Sequence, residues 1–264
     1  METGDQPSAT QYLPKPHSLA ERLGFWTGAL ISPVFGIGSA LRRDRVFHPK
    51  GVFFEASVVP ATKAGRYAEL ARRLAGSALV RLSAGGWRKN RPLVPDVLGF
   101  TVRFKGESLE PEGVQDLLLI TARSPWTLVP DSLLTDRSNF LNNIYYGLSP
   151  FEIDGERDKQ LRVIPRDAKG EGEDRYQRII NAVENGNARF DLQISNVANA
   201  DSAADWETVA RIVLRQQVES DEQEVLFYPF RDGQSINPQG FIHYLRAVPY
   251  LTSRYARRRF GDKD

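Results

Sequence analysis

Short runs of alternating or consecutive apolar residues cover most of the chain after Gly51. Each run is bounded by Gly, Pro, Asn or Asp, which is the pattern of short β-strands. Seven such runs are VFFEASVV, SALVRLSA, LGFTVRFKG, DLLLITAR, RFDLQIS, ARIVLRQ and EVLFYPF. Seven or eight short strands in one chain favour a closed barrel or a sandwich.

Apolar residues recur at helical spacing in three further places, namely residues 64–76, residues 173–187 and a segment from Asn237 to about Phe260. Gly186 is a stop signal for the second helix, and Asn237 followed by Pro238 is typical of a helix start. Pro249 should kink the third helix. The pattern therefore predicts an α+β fold, an antiparallel β-barrel of about eight strands with flanking helices and a C-terminal helix.

The first 22 residues predict a flexible tail, and residues 23–264 predict a single domain. The start of the chain is polar and contains proline, and it lacks the basic stretch and apolar core of a secretory signal. Residues 23–41 follow without a charge, and they are long enough in principle to span a bilayer. Pro33 and the glycines and serines around it disfavour a spanning helix. We expect a buried lid or the wall of an apolar channel, with shallow membrane contact as the alternative.

The amino-acid composition excludes several kinds of catalytic and metal-binding site. The 264 residues include no cysteine, which excludes disulfides, cysteine nucleophiles and thiolate metal sites, including a thiolate-ligated haem. The net charge of +2 gives no reason to expect nucleic acid as a partner. A cytoplasmic location is the default expectation for a chain without disulfides, although the absence of cysteine does not by itself establish a compartment.

Two groups of residues carry candidate chemistry. His48, one of three histidines, lies directly before the first strand, where it is either an acid–base group or a residue of a turn. In the last helix, Arg246, Tyr250 and Arg257 are spaced by four and seven residues, which places them on one helix face. A nearby guanidinium favours the phenolate form of tyrosine, and a phenolate can ligate haem iron. The alternative is an ordinary amphipathic helix with a basic C-terminal end.

Five blocks of the sequence together resemble the haem catalases. The matching segments are RVFHPKG, VRLSAGG, PDVLGFTVRFKG, IINAVENGNARFDLQIS and RAVPYLTSRYAR, which occur in the same order as in catalases. The resemblance extends from about Arg42 to Arg258. It also extends to the catalase-like allene oxide synthases, which rearrange fatty acid hydroperoxides. The chain is much shorter than a typical catalase.

The resemblance implies a site for haem b. His48 would be the distal acid–base residue, and Ser83 would orient its imidazole. Tyr250 would be the proximal iron ligand, held as a phenolate by Arg246. The remaining implied cofactor contacts are the propionate-binding residues Arg45, Arg81 and Arg257, together with Trp126, which would stack near the haem or else be an ordinary core residue.

This chain departs from the catalase pattern at the distal amide. Catalases have a pair of asparagines where this sequence has Ile120 and Thr121. Thr121 would offer a weaker hydroxyl donor at the catalytic site, or a nearby amide would replace the asparagine; the candidates are Asn139, Asn142 and Asn143. Phe47, before the histidine, matches neither the valine of catalases nor the threonine of the allene oxide synthases.

These departures predict an enzyme for organic hydroperoxides or another small organic substrate rather than for hydrogen peroxide. The reaction would be a peroxidase-type oxidation or a hydroperoxide rearrangement. The alternatives are a small true catalase, a non-catalytic haem-binding protein, and a haem-free barrel that binds lipid. Homo-oligomerisation stays open.

Overall fold

The computed structural model describes residues 13–42, 50–85, 96–106, 113–219, 225 and 227–261. Side chains are described for these residues except at 33–42, 50, 250, 251 and 253–261. Two compact units are present. One contains Met1–Val46 and Gly240–Asp264, and the other contains Phe47–Gln239.

Strands dominate the second unit. In chain order they are β1 (Lys50–Pro60), β2 (Gly76–Ala84), β3 (Leu98–Gly106), β4 (Gln115–Ile120), β5 (Tyr145–Gly147), β6 (Phe151–Ile153), β7 (Glu156–Pro165), β8 (Arg189–Asn196), β9 (Glu207–Val218) and β10 (Ile236–Pro238). Among the described residues, eight strands close into an antiparallel barrel in the order β1-β2-β3-β4-β5-β7-β8-β9, with β9 pairing back onto β1. The short strands β6 and β10 extend the sheet from β7.

The barrel interior is a packed hydrophobic core. Alternate residues of each strand point inward, as in Val80 and Leu82 of β2. Strands β3 and β8 lie on opposite sides of the ring, yet the rings of Phe100 and Phe190 meet with centroids 5.0 Å apart. Side chains therefore fill the barrel, so a ligand would have to lie elsewhere.

Five α-helices belong to the described chain: α1 (Leu19–Arg42), α2 (Ala68–Leu74), α3 (Leu128–Leu134), α4 (Arg175–Glu184) and α5 (Gly240–Gly261). Helices α2, α3 and α4 belong to the barrel unit, and α1 packs along α5 in the other unit. Asp174 caps α4 by accepting hydrogen bonds from two backbone N–H groups. Gly186 follows the end of α4 with φ of 68°, as its role as a stop signal predicts.

The predicted fold class is confirmed, although several elements were misplaced or missed. The segment EVLFYPF forms no strand at residues 227–230, which lie in a turn-containing stretch. The last helix begins at Gly240 rather than at Asn237, because Asn237 pairs with Glu152 between β10 and β6. Strand β7 escaped prediction because charged residues interrupt its apolar pattern.

Helix α1 begins inside the segment that was predicted to be a flexible tail. It begins at Leu19, because Ser18 and Glu21 form a reciprocal hydrogen-bonded cap around its first turn. Residues 19–22 of the predicted tail are therefore helical, and the single domain predicted for residues 23–264 stays a prediction. Within the described part of the chain, no helix combines the length and apolar character needed to cross a bilayer.

Candidate functional site

The outer surface of strands β1–β4 brings together two of the predicted site residues. Since Val80 and Leu82 of β2 point into the barrel, Arg81 and the residue two positions later, Ser83, point outward. Outward-facing residues of a barrel are normally exposed to solvent, but Arg81 is only 2% exposed and Ser83 only 1%. A guanidinium and a hydroxyl are thus buried side by side outside the core.

Strand β1 shapes the space around Arg81. Phe53 lies opposite Arg81, and the guanidinium carbon is 5.8 Å from the centre of the Phe53 ring. Gly51 lies opposite Ser83. A Cβ at position 51 would stand 2.6 Å from Nε of Arg81, so a larger residue there would push the guanidinium out of its observed position.

The same face continues across β3 to the end of β4. Ser83 pairs with Gly99, and Gly99 pairs with Ile120. Because Leu117 and Leu119 point into the core, Ile120 points outward with Ser83. Where the catalase pattern has an amide, the face therefore presents a partly buried aliphatic side chain.

Residues 227–231 cover part of this surface. The ring of Phe227 stacks on Phe53 with centroids 6.4 Å apart and an interplanar angle of 16°. The guanidinium of Arg103 lies 4.9 Å from the Phe227 ring centre. These contacts give the face an aromatic wall beside its buried cation.

Asp116 anchors the covering segment to the barrel. Its carboxylate, 0% exposed, accepts two hydrogen bonds from Arg103 at 2.8 and 2.9 Å. It also accepts the N–H of Tyr228 at 2.8 Å and a 3.2 Å bond from Arg231. These four hydrogen bonds compensate for the loss of water around the buried carboxylate, and their geometry fixes residues 227–231 against β3 and β4.

Thr121 lies just beyond Ile120, and its hydroxyl is already engaged. It accepts the N–H of Leu98 at 3.1 Å and the hydroxyl of Thr135 at 2.9 Å. These bonds join the end of β4 to the start of β3 and to the end of α3. The structure thus gives Thr121 a bracing role, and its catalytic role stays a prediction.

The three asparagines considered as replacement donors are all bound within one loop. Asn139 accepts the N–H of Leu141, and Asn142 donates to the Asp136 carboxylate. Asn143 accepts the N–H of Asp136 and donates to the backbone oxygens of Asp136 and Asn139. These amides hold the loop together, so the interpretation that one of them swings towards a peroxide has no support.

The other predicted site residues fall into three groups. Trp126 is 92% exposed, so the alternative that it belongs to the core is wrong, and its stacking on a cofactor stays a prediction. Arg246 is partly buried in α5. Arg45 and His48 lie outside the described residues, and for Tyr250 and Arg257 only the helical backbone is described.

Several residues of the face were not singled out by sequence reasoning. The adjacent pair Phe53 and Phe54 carries a signal, because one of two neighbouring strand residues must point out of the barrel. Gly51 and Phe227 carry no such sequence signal, since their contacts depend on strand register and on the path of residues 227–239. Among the described side chains, no group of three His, Asp or Glu residues could hold a metal ion.

Comparison with known proteins identifies the fold. The chain is similar to a fungal catalase of known crystal structure, with a TM-score of 0.52 and 14% sequence identity. The match covers 78% of this chain and 57% of the catalase, so the chain spans little more than half of that protein's length. No protein-family model and no curated protein matches the sequence. At this identity the likeness shows the fold, and the chain has a catalase-like fold.

Proposed function

We propose that this chain is a haem-dependent, catalase-like enzyme that converts organic hydroperoxides or oxidises a small organic substrate with a peroxide. The observation that carries the proposal is the burial of Arg81 and Ser83 together on the outer face of β2. Both residues come from the block VRLSAGG, which resembles a haem-site block of catalases, and the chain folds as a catalase does.

The described side chains suit haem b. A flat apolar group with carboxylates needs a cationic donor beside aromatic and aliphatic surface. Arg81 supplies the cation, and Phe53 and Ile120 supply the apolar surface. Gly51 leaves the room in which the guanidinium lies. When bound, haem would supply the redox chemistry that cleaves the peroxide oxygen–oxygen bond.

The remaining cofactor contacts in this proposal rest on the sequence. Tyr250 would hold the iron through its phenolate oxygen, with Arg246 stabilising that anion one helical turn away. Arg45 and Arg257 would bind carboxylates together with Arg81. Trp126, which lies on the surface, would stack the face of its ring against the cofactor.

His48 would move the proton of the reaction. Its imidazole would take the proton from the hydroperoxide O–H and return it to the oxygen that leaves. Ser83 would act as a positioning residue by a hydrogen bond to the other ring nitrogen, which fixes the tautomer of the histidine.

The preference for an organic substrate rests on Ile120. An amide at this position would stabilise the charge that develops on a bound peroxide, and an aliphatic side chain cannot. The nearby amides of Asn139, Asn142 and Asn143 are held in their loop. An apolar face disfavours water-like hydrogen peroxide and favours the alkyl part of an organic hydroperoxide.

A small true catalase is the alternative reaction, and a non-catalytic haem-binding protein is the alternative class. A cytoplasmic location and homo-oligomerisation stay predictions. To separate the reactions, purified ferric protein is mixed with hydrogen peroxide and, separately, with a fatty acid hydroperoxide. We expect rapid loss of the fatty acid hydroperoxide and slow oxygen release. Fast oxygen release from hydrogen peroxide with an inert fatty acid hydroperoxide would overturn the substrate preference, and inertness towards both would support the non-catalytic class.

A further inference from the structure

One face of helix α1 is an exposed apolar stripe. Leu19, Leu23, Trp26 and Leu30 follow one another at spacings of four, three and four residues, which places them on one side of a helix. Their exposed fractions lie between 56 and 81%. The stripe extends over about 16 Å of helix. A contiguous apolar surface of this kind marks an interaction site more often than isolated exposed residues do.

The opposite face of α1 is already occupied. Gly24 and Gly28 lie against the backbone of Phe241 and Leu245 of α5, where an added Cβ would overlap the carbonyl oxygens. Residue numbers increase in the same direction along α1 and α5 at this contact, so the two helices are parallel. The close packing of α5 on this side leaves the stripe of α1 facing outward.

The charge of this helical unit is strongly positive. Residues 1–46 and 240–264 contain eleven Lys and Arg against six Asp and Glu, whereas the rest of the chain contains 24 against 27. Helix α5 has five arginines and no acidic residue. The one acidic residue of α1, Glu21, is buried and caps the helix by accepting the N–H groups of His17 and Ser18. Arg22 is exposed one residue from Leu23 in the stripe.

The polar residue beside the stripe, Thr27, has its hydroxyl hydrogen-bonded within the helix. Thr27 lies between Leu23 and Leu30 on the exposed side, and its hydroxyl donates to the Leu23 carbonyl oxygen at 2.7 Å. Moving this part of the helix out of water therefore leaves no hydroxyl without an acceptor. An exposed tryptophan in an apolar stripe is also suited to the boundary between lipid headgroups and acyl chains.

We propose that the stripe of α1 binds peripherally to an anionic lipid surface, with the helix lying along the membrane. Apolar side chains would enter the headgroup region while the basic residues of α1 and α5 attract anionic lipids. This inference is independent of the proposed haem chemistry.

Flotation of the purified protein with vesicles tests the proposal. We expect binding to phosphatidylcholine vesicles that contain phosphatidylglycerol, little binding to pure phosphatidylcholine, and weaker binding at high salt. The double variant Trp26→Ser and Leu30→Ser should reduce partitioning about tenfold or more. Arg22→Gln should weaken it by a smaller factor.

A matched control lies on helix α3 of the barrel unit. Val129 and Leu133 are both 68% exposed and are also four residues apart, so their double change to serine removes exposed apolar surface elsewhere. That variant should bind vesicles like the parent. Equal losses in both double variants, or no vesicle binding by the parent protein, would overturn the proposal. If the parent binds no vesicles and the α1 variant turns a dimer into a monomer in light scattering, the stripe covers a second copy of the chain instead.

Discussion

At the scale of residues, strand alternation explains why Arg81 and Ser83 matter. Both were selected from a sequence motif, but only the strand register shows that they share one outward face with Phe53 and Ile120. A strand reveals its two faces in sequence, whereas its neighbours are set by pairing with residues far along the chain. The motif could therefore be found in advance, and the glycine and aromatic residues that shape its surroundings could not.

Replacing Ile120 by asparagine should shift the reaction towards hydrogen peroxide. The amide would point to the same outer face and stabilise charge on a bound peroxide. We expect kcat/KM for oxygen release from hydrogen peroxide to rise about tenfold, and turnover of a fatty acid hydroperoxide to fall. Leu118→Asn, two residues earlier on the same face of β4, is the control and should leave both rates near those of the parent. Equal rates in parent and Ile120→Asn would contradict a role for this position.

Thr121→Val separates bracing from catalysis. Valine leaves the N–H of Leu98 without its acceptor, which should cost about 1–3 kcal/mol of unfolding free energy, whereas the hydroxyl of Thr135 keeps the Asp131 carbonyl oxygen as acceptor. Chemical denaturation measures this loss, and peroxide kinetics on the folded variant should stay within about twofold of the parent. Thr135→Val removes one of the two bonds and should cost less. A large fall in kcat with unchanged stability would instead establish Thr121 as a catalytic residue.

At the scale of elements, local sequence signals predicted where a helix or strand lies better than they predicted its length or the strands it pairs with. The strand LGFTVRFKG was located at its observed bounds, and α4 begins after its capping residue Asp174. Strand β7 was missed because the outward residues near its start are charged, and its place in the barrel comes from pairing with β5 and β8. The predicted start of the last helix at Asn237 failed for the same reason, since pairing with β6 competes with capping.

The loop after α3 should lose stability in acid through Asp136. Burial raises the pKa of its carboxyl, but hydrogen bonds from Ser138 and Asn142 outweigh this effect and hold the pKa below its ordinary value. Such a carboxylate stabilises the fold above its unfolded pKa of about 3.9, and that contribution disappears as the pH falls through the folded pKa.

We therefore expect Asp136→Asn to be less stable than the parent at about pH 6, with the difference shrinking towards about pH 3. Urea denaturation across this range measures both proteins. Asp205→Asn, which changes an exposed carboxylate, provides the control. A stability difference that stays constant or grows as the pH falls would show that Asp136 does not act through its charge.

At the scale of the whole molecule, the number of strands and their spacing were enough to predict a barrel. Closure itself was beyond sequence reasoning, because β1 pairs with β9 about 160 residues later and β7 pairs with β8 across α4. The likeness to a fungal catalase establishes the fold at 14% identity, and the cofactor follows only by proposal. The unequal charge of the two units likewise emerges only after the chain has been divided.

Central to this proposal is haem held through Tyr250, and an absorption spectrum tests it most directly. The protein is expressed with ample haem, purified, and compared with Tyr250→Phe and with the control Tyr255→Phe, which removes a hydroxyl from the same helix. We expect the parent and Tyr255→Phe to show a Soret band and a high-spin ferric tyrosinate spectrum, and Tyr250→Phe to lose most of its haem. A colourless parent protein, or an unchanged spectrum in Tyr250→Phe, would contradict the proposal.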